Sequence, residues 1–182
     1  MIFLKFLLIL TLYRTCLGAI PAQSSCGVPI ISPSIAGATL NRIINGNEAT
    51  ANSWPWQISI RRKVVSGSQT LYSSHLCGGS LIYENIVLTA AHCVDNFAAE
   101  NIGVVVGVHD FATEPLTSSN TFGVSSRYYH TRYASSPEII NDIAILKLDK
   151  NVTLGTKIAL ACLPTQSDIN KVLTKNIVVT GW

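Results

Sequence analysis

Residues 80–93 read Ser-Leu-Ile-Tyr-Glu-Asn-Ile-Val-Leu-Thr-Ala-Ala-His-Cys. Two short apolar runs, Ser80–Tyr83 and Ile86–Thr89, flank a tight turn at Glu84-Asn85. Short runs rich in β-formers on either side of a two-residue turn predict antiparallel strands. After Thr89 the composition shifts. Ala90 and Ala91 are good helix formers, so the strand is expected to give way to a helical turn that lifts His92 off the sheet.

Working outward, the same grammar recurs. Trp56-Gln57-Ile58-Ser59-Ile60 alternates apolar and polar, and Val104–Val106 is a short buried run. Phe122–Tyr133 is aromatic and mixed, Ile143–Leu148 is a strong buried strand, and Ile177–Val179 is a last apolar run. Short strands at regular turn signals, without a sustained helical period, predict an all-β fold: an antiparallel barrel or sandwich. Residues 19–42 read differently. Pro21, Pro29 and Pro33 among Ser, Gly and Ala describe an extended leader rather than a packed element.

The bulk properties narrow the function classes. The 182 residues suffice for one domain with a sizeable core. The net charge is +3, only 13% of residues are charged, and no block of like charge points to nucleic acid or to a membrane surface. Residues 1–18 read as a secretory signal: Lys5, the apolar run Phe6–Tyr13, and small Gly18 at the cleavage end. That run is far short of the roughly 20 residues needed to cross a bilayer, and Arg14 interrupts it. A secreted, extracellular product with no membrane attachment after signal removal is expected. Cys16 leaves with the signal, and Cys26, Cys77, Cys93 and Cys162 remain. Four cysteines in an oxidising compartment predict disulfides, with three pairings open. No C-x-x-C or H-x-x-x-H spacing supports zinc.

Three segments make the reading specific: Cys77-Gly78-Gly79-Ser80-Leu81-Ile82, Leu88-Thr89-Ala90-Ala91-His92-Cys93 and Asp142-Ile143-Ala144-Ile145-Leu146-Lys147-Leu148. Together they resemble the first half of the chymotrypsin/trypsin family of serine endopeptidases. Cys26-Gly27-Val28-Pro29, Arg42-Ile43-Ile44-Asn45-Gly46 and Ser53-Trp54-Pro55-Trp56-Gln57 add a chymotrypsinogen-like leader. The resemblance implies the first antiparallel barrel of a two-barrel fold, over residues 43–170. A signal peptide (1–18) and an activation peptide (19–42) would precede it. Residues 171–182 would be the opening strand of a second barrel that is otherwise missing.

By the same resemblance His92 is the general base and acid and Asp142 orients it. The chemistry asks for this pair. A serine hydroxyl is a poor nucleophile without an adjacent base, histidine as a residue type titrates near neutrality, and a carboxylate on its other nitrogen holds the tautomer. His75, His109 and His130, and Asp95, Asp110, Asp149 and Asp168, lack that context and are expected to be structural. The family pattern implies Cys77–Cys93 and Cys26–Cys162 disulfides. It also implies activation by a trypsin-like protease that cuts between Arg42 and Ile43, the leader staying attached through Cys26. The implied partners are protein or peptide substrates, that activator, and protease inhibitors. No cofactor is expected. No metal is expected either: Val108 stands where calcium-binding loops of the family carry a glutamate, leaving Asp110 and Glu114. Asn151-Val152-Thr153 is a glycosylation sequon.

No Gly-Asp-Ser-Gly-Gly segment occurs in the 182 residues. The nucleophile, oxyanion hole and specificity pocket are therefore expected to be lacking, and the polypeptide as written is expected to be inactive. The alternative expectation is a truncated, non-catalytic homologue that binds or regulates.

Overall fold

Strands account for nearly all the regular structure in the computed structural model, which describes residues 26–34, 47–165, 168 and 177–182. Residues 1–18, Arg42 and Ile43 lie outside the described residues, so the signal and activation-site expectations have no structural counterpart. In chain order the strands are β1 (Gln57–Ser66), β2 (Gln69–Tyr72), β3 (Cys77–Tyr83), β4 (Ile86–Thr89), β5 (Ile102–Val106), β6 (Thr121–Tyr129) and β7 (Ala144–Leu148). All pairings are antiparallel and run β2-β1-β3-β4-β7-β6-β5. A further ladder, from Ile58↔Val106 to Arg62↔Ile102, joins β5 back to β1. Six strands thus close into a barrel, and β2 hangs from the far half of β1 as a hairpin. The all-β expectation holds, and the closing ladder decides for barrel over sandwich.

The alternation of side chains explains the interior. In β1, Ile58 and Ile60 point into the core, which they share with Leu81 of β3, Val87 of β4, Ile102, Val104 and Val106 of β5, Phe122 of β6 and Leu146 of β7. Each fully buried aliphatic side chain of this kind stabilises the fold by about 1.5–3 kcal/mol relative to an exposed one. Ser59 and Arg61 take the opposite face of β1 and are also buried. The Arg61 guanidinium stacks 3.9 Å above the Phe111 ring and donates to the Ser73 carbonyl oxygen. Such stacking lets a cation lie within the fold with its donors satisfied.

Gly79, in the Gly78-Gly79 pair, is a packing requirement. β3 lies between β1 and β4, and a Cβ on Gly79 would stand 2.9 Å from the Leu88 carbonyl oxygen and 3.0 Å from Ile58 Cδ1. Only a glycine fits there without displacing backbone.

Two expectations change. The strand read as Trp56–Ile60 begins at Gln57 and continues to Ser66, because Arg61 and Lys63 extend it through ladder pairing with β5 and β2 despite their charge. The run Ile177–Val179 pairs with no strand among the described residues. Its side chains are exposed, Ile177 by 82%.

Candidate active site

His92 sits where the strand ends. β4 stops at Thr89, and Ala91–Cys93 form a single 3-10 turn, as the alanines led one to expect. Ala91 is buried and anchors the turn: the N–H groups of Val94 and Asp95 both donate to its carbonyl oxygen. Cys93 is bonded to Cys77 at the start of β3. The His92 backbone is therefore flanked on one side by a buried methyl and on the other by a disulfide.

Asp142 arrives from the neighbouring strand. β4 and β7 pair from Ile86↔Lys147 to Thr89↔Ala144, so the end of β4 meets the start of β7. Asn141 has φ of 52°, a left-handed conformation that asparagine tolerates better than most residues, and its side-chain amide donates to the Arg132 carbonyl oxygen. That turn delivers Asp142 beneath the imidazole. The 50-residue separation in sequence collapses to direct contact.

The contact has two points. Asp142 Oδ1 accepts the backbone N–H of His92 at 2.9 Å, and Oδ2 lies 2.6 Å from Nδ1. A carboxylate is an acceptor only, so Nδ1 carries the hydrogen and Nε2 is the basic nitrogen. The backbone N–H of His92, then its ring, hold the Asp142 carboxyl below the ordinary carboxylate range, against a smaller opposing effect of desolvation. The His92 side chain is half exposed and that of Asp142 about one quarter. Among the described residues no hydroxyl hydrogen-bonds Nε2, whose near neighbour is Cys93 Sγ at 3.5 Å.

A buttress behind the turn escaped the sequence reading. Arg127 of β6 donates to the carbonyl oxygens of Val94 and Asp95 at 3.2 and 3.3 Å. The Tyr129 hydroxyl reaches Val94 O at 3.4 Å, and the Tyr133 hydroxyl donates to Asp95 Oδ2 at 2.8 Å. Arg127 and Tyr129 stand two apart on one strand and so share a face. That spacing was readable, but the carbonyls they seek lie more than 30 residues away in sequence.

The other singled-out residues have structural partners. His75 Nδ1 is 2.8 Å from Ser59 Oγ, and its ring packs 5.4 Å from Trp182. Burial, and then the Arg61 charge, push His75 below its ordinary value. His109 and Asp110 donate their backbone N–H groups to Glu114 Oε1, while Lys157 meets Oε2 at 3.2 Å. The Glu114 carboxylate is thus engaged by two amides and an ammonium. Sγ of Cys77 and Cys93 and a ring nitrogen of His92 lie within 4.8 Å of one another. The two sulfurs are bonded together, so neither offers the thiolate a metal needs. Cys26 is bonded to Cys162, 136 residues away, and Gly27 N–H donates to the Leu160 carbonyl oxygen, fastening the leader to the barrel.

A closed antiparallel barrel with this disulfide-braced pair has relatives. The Trypsin family profile matches residues 43–182. Chymotrypsin-C of Bos taurus is 36% identical over 161 residues, and chymotrypsin-C of Mus musculus 36% over 156. Those alignments take in 87% and 85% of this chain and 54% of each relative. Serine proteinase stubble of Drosophila melanogaster is 35% identical over 163 residues, 88% of this chain and 19% of that protein. The chain belongs to the trypsin family of serine proteases, and it spans about half the length of the chymotrypsin-C relatives it matches.

Proposed function

We propose that His92 and Asp142 are the base and orienting acid of a serine endopeptidase that is secreted as a zymogen. The observation that carries this reading is the two-point hold of Asp142 on His92, which fixes the ring and its tautomer at once. In the reaction, a serine oxygen attacks the peptide carbonyl carbon and its proton passes to Nε2. The proton then goes to the leaving amine, and water hydrolyses the acyl-enzyme by the same relay in reverse order of partners. Asp142 stays ionised and stabilises the imidazolium while it exists.

Activation by cleavage between Arg42 and Ile43 is part of the proposal. Its supports are the Arg42-Ile43-Ile44-Asn45-Gly46 sequence and a family match that starts at Ile43. The Cys26–Cys162 bond would keep the leader covalently attached after that cut. The 182 residues hold no Gly-Asp-Ser-Gly-Gly segment, so on their own they are proposed to have no peptidase activity. Losing the nucleophile alone lowers turnover by about six orders of magnitude in a comparable protease.

The transcript beyond the Trp182 codon tests the catalytic reading. Continuation into a Gly-Asp-Ser-Gly-Gly segment is expected, and in that full-length protein D142N should lower kcat by about four orders of magnitude. A stop codon at that point, with the product found secreted, would overturn the catalytic reading and leave the alternative, a truncated non-catalytic homologue that binds or regulates.

A further inference from the structure

We infer that Asn151 carries an N-linked glycan at the pole of the barrel opposite His92. This rests on the proposal that the chain enters the secretory pathway. Asn151-Val152-Thr153 is the only Asn-x-Ser/Thr triplet in the sequence. A triplet alone is weak; its placement in the fold carries the argument.

Three observations converge. First, Asn151 and Thr153 are exposed while Val152 between them is 3% exposed and part of the core. The two residues that define an acceptor site face solvent, and the residue that need not be read holds the segment to the barrel. Second, the local bonding tolerates the modification. Val152 N–H donates to the Glu84 carbonyl oxygen at 2.7 Å, and Asn151 Nδ2 donates to Glu84 Oε2 at 3.2 Å. A glycosylated amide nitrogen keeps one hydrogen, so the bond to Glu84 can persist beside the sugar. Third, the location is remote from the catalytic pair. β7 leads away from Asp142, and β4 leads from the Glu84-Asn85 turn toward His92. With about 3.4 Å of rise per residue, the five residues of β7 put Asn151 roughly 15–20 Å from that pair. A bulky, solvated glycan there leaves the catalytic pair accessible and shields two apolar side chains, Tyr83 beside its hydrogen-bond partner Glu84 and Leu154 three residues on, which are 38% and 37% exposed.

The test uses the full chain in a secreting eukaryotic cell, in two forms. One keeps residues 1–18; the other replaces them with the signal of a known secreted protein, which delivers the chain to the lumen in any case. Modification precedes the completion of folding, so it is read on the intracellular pool as well as the medium. The expected result in both forms is a single step down in mass on treatment with peptide-N-glycosidase, with aspartate found at position 151 by mass spectrometry. N151Q and T153A should abolish the step, and T153S should retain it. Unmodified Asn151 in the signal-replaced form overturns the proposal. A glycan in that form alone upholds the site and overturns the secretory reading of residues 1–18.

Discussion

Asp142 uses its two oxygens on two parts of one residue, and the largest single effect lowering its pKa is the hydrogen bond from the backbone N–H of His92, followed by that from the ring. The ionised form is therefore favoured in the folded state. The stability this contributes is present above the ordinary aspartate value of about 4 and is lost as pH falls through the lower, folded value. The expected outcome is a carboxyl carbon titration for Asp142 with a midpoint below 4 in the folded chain. D142N should flatten the decline in unfolding midpoint between pH 5 and 2. About one quarter of the Asp142 side chain is exposed, which screens the interaction, so the flattening is small. An Asp142 midpoint at or above 4 would mean that the two-point hold does not exist in solution. Asp142 itself was legible only through resemblance. Nothing in an aspartate before an apolar strand says that its carboxylate will cap a turn 50 residues back.

At the scale of elements, the turn bearing His92 is clamped from three directions: the Cys77–Cys93 bond, Asp142 from the turn just before β7, and Arg127 with Tyr129 from β6. Replacing Arg127 with Met keeps an unbranched apolar stem but leaves two carbonyls without a charged donor, at about 1.5–3 kcal/mol for such a bond. The backbone amides of Val94 and Asp95 should then exchange faster, while those of β4 keep their protection; unchanged exchange at Val94 would show that Arg127 is not part of the clamp. Gly79→Ala should destabilise by about 1–3 kcal/mol in chemical denaturation, since the neighbouring strands cannot both recede. Most strands were legible because their apolar runs are short and bounded by turns. β2 was not. Gln69-Thr70-Leu71-Tyr72 buries almost nothing, so it leaves no apolar pattern to read; it forms because Gly67, with φ of 59°, turns β1 back on itself. The run Ile177–Val179 shows the converse. Its composition is that of a strand, but a strand needs a ladder partner, and none of the described residues provides one.

For the whole molecule, one interior is shared by all six barrel strands, so damage at any point is felt by the entire closed sheet. Leu146, fully buried in β7, contacts that interior directly. Leu146→Ala should lower the unfolding free energy by about 2–5 kcal/mol. Val65→Thr, on the exposed far half of β1, should change it by less than about 0.5 kcal/mol. A similar loss at both positions would mean that the barrel is not a single cooperative unit. Closure also governs how this chain can meet others. Among the described residues each of the six barrel strands has a neighbour on both sides over at least part of its length, and so offers only short stretches of unpaired amides and carbonyls to a passing polypeptide, such as Lys63–Ser66 of β1 on the side away from β2. β2 alone ends the row, with four residues and a polar outer end at Gln69. Strand-by-strand growth into fibres or runaway oligomers therefore has only short points of entry among the described strands, and a lysine or proline placed in β2 would close the one at the end of the row.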